Sequence, residues 1–269
     1  MEWVWNILFE EKDMKTIGGS VFVRNAVEWD YCIKEAVLSL VPFCDEVIVG
    51  DAQSNDGTLD ILKELERTTP NVRILENLPW ECAKDNARLS MLANMVKTEL
   101  KTDWHFMIQA DEAVHEDSIP AIKDFIDKTN YSGAFVRRWN LWDNFNQYVA
   151  LHSKNRPCGD SIVRLGEIQL EAVGDAEGLW CNECADLTDR IFIFHYGFLR
   201  NNLINKVLDT LSWFFNGSLD PRYVKMKEEG NIFNSEAVIP KSELVDLPMS
   251  HPAIMQEWIA GRRNREIRT

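Results

Sequence analysis

Short β-branched runs that stop at small or acidic residues alternate with stretches whose apolar positions recur at helical spacing, and this pattern sets the first half of the chain. Ser20-Val-Phe-Val-Arg24 reads as a strand ending at Asn25, and Trp29 to Leu40 as a helix that Pro42 closes. Glu46-Val-Ile-Val49 reads as the second strand and stops at Gly50-Asp51. In the loop that follows, Ser54, Asn55 and Asp56 can turn the backbone through side-chain bonds to nearby amides, and Gly57 accepts positive φ without steric cost. A helix then carries Leu59, Leu62 and Leu65, with Asp56 or Thr58 as its cap. Strand, helix, strand and helix in this order open a parallel α/β sheet.

The alternation continues with a strand at Val72–Leu75, a helix from Cys82 to Leu100, and a buried strand, Trp104-His-Phe-Met-Ile108, that runs straight into Gln109-Ala110-Asp111-Glu112. Two strands thus end in carboxylates, Asp51 and Asp111. In open α/β sheets, ligands bind in the crevice outside the carboxyl ends of the strands. A carboxylate there can accept hydrogen bonds from a base or ribose, and a second can offer oxygen to a hard divalent cation, which suits a nucleoside with a metal-bound diphosphate.

The second half is patterned more loosely. Gly133–Arg137, Ser161–Arg164 and Ile191–Phe194 read as strands, the last leading into His195. Leu170 to Gly178 reads as an acidic loop, residues 201–216 as an amphipathic helix, residues 230–248 as loop, and Ile254–Ile259 as a short helix before a basic tail. Trp139, Trp142, Trp180 and Trp213 are candidates for stacking on sugar rings or for packing.

Composition narrows the function classes. The net charge of -14 over 269 residues opposes a long polyanionic partner, and the one basic cluster is the tail around Arg262 to Arg268. No apolar stretch approaches a membrane span, and the acidic N-terminus lacks the basic start of a signal peptide, so the chain reads as soluble and intracellular, hence cytoplasmic. Six scattered cysteines read as reduced thiols; Cys181 and Cys184 have the spacing of half a zinc site without a partner half.

Four landmarks in order, Val23-Arg24-Asn25, Asp45 to Thr58, Lys84-Asp-Asn86 and Gln109-Ala-Asp-Glu112, resemble family 2 glycosyltransferases of the A-type fold. The Gln-Ala-Asp-Glu form resembles a branch of small bacterial and phage enzymes. The resemblance covers residues 18–116 well. It implies a three-layer α/β/α sandwich with a mainly parallel central sheet, and it divides the chain into an extension (1–17), a nucleotide-sugar-binding half (18–116), an acceptor-side half (117–229) and a C-terminal segment (230–269).

The resemblance also implies a function: transfer of a sugar from a nucleoside diphosphate, with UDP expected, to an acceptor hydroxyl with inversion. Donor contacts fall to Arg24, Asn25, Asp51, Ser54, Lys84, Asn86, Ala110 and Asp111. A divalent cation, Mn2+ or Mg2+, falls to Asp111 and His195, and the base to Asp175 or else Glu177. Two departures stand out: Ala52-Gln53 replaces the usual pair after the first acid, and Gln109 replaces the first acid of the D-x-D motif. Two rival readings remain, a phage-type transferase acting on modified DNA bases through a basic face around Arg137, Arg138 and the tail, and a nucleotide- or glycan-binding module without turnover.

Overall fold

Val47 and Val49 enter one buried cluster and Ile48 another, because successive side chains of a strand point to opposite faces and both faces here are covered by helices. The structure, a computed structural model, describes residues 14–82, 87–142, 144–149, 161–199 and 241–266, with the last four by backbone alone. Its N-terminal half consists of β1 (Ile17–Val23), α1 (Ile33–Leu40), β2 (Glu46–Asp51), α2 (Thr58–Thr68), β3 (Val72–Leu75), α3 (Ala87–Thr98), β4 (Trp104–Met107), β5 (Glu112–Val114) and α4 (Ile119–Lys128). The remainder holds β6 (Gly133–Trp142), β7 (Gln147–Val149), β8 (Ser161–Glu167), β9 (Ala172–Val173), β10 (Gly178–Leu179), β11 (Cys184–Asp186), β12 (Phe192–Phe198), β13 (Leu244–Asp246) and α5 (Gln256–Glu266).

One eleven-stranded sheet runs β13-β7-β6-β8-β4-β1-β2-β3, with β11 and β12 on the far side of β6 and β5 on β12. It is mixed and mostly parallel: β3, β2, β1 and β4 run the same way, and β8 enters antiparallel beside β4. Ile33, Val37, Leu62, Leu65, Ile122 and Phe125 bring α1, α2 and α4 onto one face. Leu92 and Val96 bring α3 onto the other with Ile48 and Leu78. The result is the expected α/β/α sandwich. A further apolar cluster joins Trp139, Phe145, Phe194 and Tyr196 to Met255, Trp258 and Ile259 of the C-terminal segment.

Several expected elements differ in extent. The first helix begins at Ile33 and not at Trp29, because Asp30 takes a left-handed φ of 53° and residues 26–30 form turns closed by Asn25 and Ala26 carbonyls. Within 230–248, residues 244–246 are not loop: β13 pairs antiparallel with β7. The loop from Leu170 to Gly178 contains the β9–β10 hairpin. The last helix extends beyond Ile259 to Glu266. Cys181 and Cys184 form a disulfide, which corrects their reading as thiols. Trp139 and Trp142 are buried and therefore pack the core, whereas Trp180 is exposed. The helix expected at 201–216 and Trp213 lie outside the described residues. Among the described residues no helix is long and apolar enough to cross a membrane.

Candidate active site

Asp51 ends β2 and Asp111 follows β4, and both strands pair parallel with β1, so the two acids stand on either side of the central strand at one edge of the sheet. Both are buried. Asp51 Oδ2 accepts the Ser54 N–H at 3.1 Å, while Oδ1 has no hydrogen-bond partner among the described residues. The loops after β1 and β2 are laced together. Ser54 Oγ accepts the Asn25 N–H at 2.9 Å, Asn25 Oδ1 accepts the Asn55 N–H at 3.0 Å, and Asn25 Nδ2 donates to Glu28 at 2.7 Å. Asp56 joins in through the Glu28 and Thr58 N–H groups. Arg24 lies over the Trp80 ring at 4.6 Å, and Arg88 approaches the same ring at 4.9 Å. Lys84 and Asn86 lie outside the described residues.

The turn carrying Ala110 and Asp111 is held from within. Glu112 Oε2 accepts the Gln109 N–H at 2.8 Å, and its other oxygen receives Arg164 at 2.8 Å and Arg138 at 3.4 Å. The Ala110 carbonyl meets the Cys32 thiol at 3.9 Å. Glu112 and Arg164 are both fully enclosed, so removing either would strand a buried charge. Arg138 is itself buried and reaches on to Glu177 at 3.2 Å. It therefore forms no part of a basic face, and Arg137 is turned onto Trp139 and the Thr188 carbonyl. Of the residues named for the rival DNA reading, Arg138 is thus buried in the ion-pair network and Arg137 is half-buried.

His195 lies inside β12 and not at a strand end, at the last paired position before a register irregularity. Two neighbours fix it. In the β6–β12 ladder it sits opposite Asn140, whose Oδ1 is 2.9 Å from His195 Nδ1. On the other side β12 pairs with β5, setting His195 Nε2 at 3.6 Å from Asp111 Oδ2. A Cβ on Gly197 would come within 2.4 Å of that nitrogen and 2.9 Å of that oxygen, so only glycine leaves the space beside the pair open.

Asp175 and Glu177 occupy the turn between β9 and β10. Burial and the neighbouring Glu177 carboxylate raise the Asp175 pKa above its ordinary value. Burial also works against the Glu177 charge, but Arg138 and Arg164 outweigh it and hold that carboxyl below its ordinary value. The pair is thus split into a more basic and a less basic carboxylate.

Nothing in the sequence assigns a role to Arg164, Asn140 or Gly197. Signals existed for two of them: an arginine inside the apolar run Ser161-Ile-Val-Arg-Leu165 demands a buried partner, and a glycine inside a strand marks close approach. Asn140 carries no such mark.

Solved structures of similar course include S. aureus TarS 1-349 in complex with UDP-GlcNAc, 11% identical over 94% of this chain and 81% of that one, with a TM-score of 0.47. Another is the mannosyltransferase PcManGT from Pyrobaculum calidifontis in complex with GDP-Man and Mn2+, 10% identical over 80% and 68%, with a TM-score of 0.46. No curated protein matches the chain. The family model described as glycosyl transferase family 2 matches residues 23–168, more than half of the sequence, and the chain therefore belongs to that family of glycosyltransferases.

Proposed function

We propose that the protein transfers a sugar from a nucleoside diphosphate, UDP in the first instance, to an acceptor hydroxyl with inversion at the anomeric carbon. The observation that carries this reading is the placement of Asp51 and Asp111 on either side of β1 at the carboxyl edge, with Asp51 Oδ1 buried and without a hydrogen-bond partner among the described residues. Asp51 accepts the base's N–H at that oxygen. Arg24 offers its charge on the donor side, while Asn25 and Ser54 shape the pocket by tying its two loops together. Lys84 and Asn86 complete the donor contacts.

The residues fit a divalent cation, Mn2+ or Mg2+. Asp111 Oδ2 and His195 Nε2 face one another at 3.6 Å, a separation two ligands of one ion can take, and Gly197 keeps the adjoining space clear. Among the described residues no cluster of three His, Cys, Asp or Glu side chains could hold an ion, so diphosphate oxygens and water supply the other ligands. Such an ion neutralises charge on the departing diphosphate. Gln109 adds no carboxylate, which makes His195 the second protein ligand. Asp175, the more basic of its pair, takes the proton as the acceptor oxygen bonds to the anomeric carbon and the bond to the diphosphate oxygen breaks; Glu177 is the alternative base.

Calorimetry and thermal shift with UDP, GDP, CDP and dTDP, each with and without Mn2+, test the donor site on the wild type and on Asp51→Ala and Asp111→Ala. Selective, metal-enhanced stabilisation by one nucleotide, lost in both variants, is expected. Absence of any nucleotide effect on the wild type would overturn the reading.

A further inference from the structure

We infer that Asn140 is a positioning residue that fixes the imidazole of His195 in its Nδ1–H form and so presents Nε2 as a lone pair beside Asp111; the inference rests on the metal reading above. Asn140 stands on β6 directly opposite His195 on β12, and both side chains are buried. Its Oδ1, an acceptor only, lies 2.9 Å from His195 Nδ1, so that nitrogen carries the proton. A neutral imidazole with its proton on Nδ1 bears a lone pair on Nε2, and this lone pair points to Asp111 Oδ2 at 3.6 Å. Two lone-pair atoms brought face to face at low exposure repel unless a cation lies between them. The partner of a ligating histidine's far nitrogen sets both its tautomer and its orientation.

A second observation separates this arrangement from ordinary packing. Asn140 Nδ2 is buried without a hydrogen-bond partner among the described residues. A buried amide donor left unmade is costly because it loses its water without gaining a partner, so an apolar residue filling the same space would be the more stable choice if Asn140 served only to pack. The turn that carries Asp111 is fixed separately by Arg164 and Arg138 through Glu112. The geometry therefore assigns Asn140 to the histidine half of the pair and the arginines to the carboxylate half.

The test compares wild type, Asn140→Leu and Asn140→Asp by Mn2+ calorimetry in the presence of UDP, and by imidazole nitrogen chemical shifts in the metal-free protein. The wild type is expected to show the Nδ1–H form. Asn140→Leu should lose that form and bind Mn2+ about 10- to 100-fold more weakly, and Asn140→Asp, which keeps an acceptor oxygen in place, should restore both. A wild-type imidazole protonated at Nε2 would overturn the inference, as would equal Mn2+ affinity in the leucine variant. If the wild type binds no Mn2+, the metal reading fails by itself, and the nitrogen shifts still decide whether Asn140 sets the tautomer. Should the leucine variant not fold, the wild-type shifts and the aspartate variant carry the same decision.

Discussion

Arg164 donates to Glu112 at 2.8 Å with both side chains fully enclosed, which ties β8 to the residue immediately after Asp111. This pair helps to hold the turn that carries the acid, together with Arg138 and the Gln109 N–H. Removing one partner of a buried ion pair typically costs about 3–5 kcal/mol. Glu112→Ala, which takes the carboxylate from the buried Arg164 and leaves Arg138 to Glu177, should show that loss in denaturant unfolding; a loss below about 1 kcal/mol would mean that water reaches the pair.

The orphaned oxygen of Asp51 gives a donor-side prediction. Hydrogen bonds to charged groups contribute about 1.5–3 kcal/mol, so Asp51→Ala should weaken binding of the preferred nucleoside diphosphate by roughly 10- to 100-fold. Asp51 also accepts from Ser54, so the melting temperature of the free protein must be measured alongside. Equal affinity in the variant would show that the base binds elsewhere.

Gly197→Ala adds one methyl beside His195 Nε2 and Asp111 Oδ2. Mn2+ affinity should fall by at least about tenfold as the pair is pushed apart, while circular dichroism stays that of the wild type. Unchanged Mn2+ binding would remove the ion from this position.

The two carboxylates of the β9–β10 turn make separable predictions. With Asp175 raised by burial and by Glu177, activity should fall as pH drops through a value above the ordinary aspartate range, because the base must be ionised to accept the proton. Asp175→Asn should lower kcat by about 100- to 10,000-fold and leave nucleotide binding intact. If Glu177→Gln shows that profile and Asp175→Asn does not, the base is Glu177.

His105 sits buried on β4, where desolvation and the nearby Lys97 pull its pKa to about 3. The unfolded chain protonates this ring near pH 6.5 and the folded one does not, so its contribution is full above pH 6.5 and is lost as pH falls toward 3. The slope is that of one proton, about 1.4 kcal/mol per pH unit. His105→Leu should flatten the acid limb of the stability curve by that amount; an unchanged slope would mean that the folded ring titrates normally.

The sequence alone determined the parallel opening of the sheet and the places where its strands end. Strand period, helical spacing and turn chemistry are local properties, so Val47 to Asp51, the loop to Thr58 and the run from Trp104 into Asp111 could be placed by reading along the chain. Asn25 and Ser54 sit in that ordered half, where their hydrogen bond joins the loops after β1 and β2. Only the tertiary structure decided how the later strands meet it. The pairing of β12 with β6 on one side and β5 on the other brings Asn140, His195 and Asp111 together, from positions that share no spacing in the chain. The same pairing moves His195 into a strand, and β8 turns Arg164 inward to Glu112. Those partnerships depend on which strand lies beside which, and periodicity carries no record of neighbours distant in sequence.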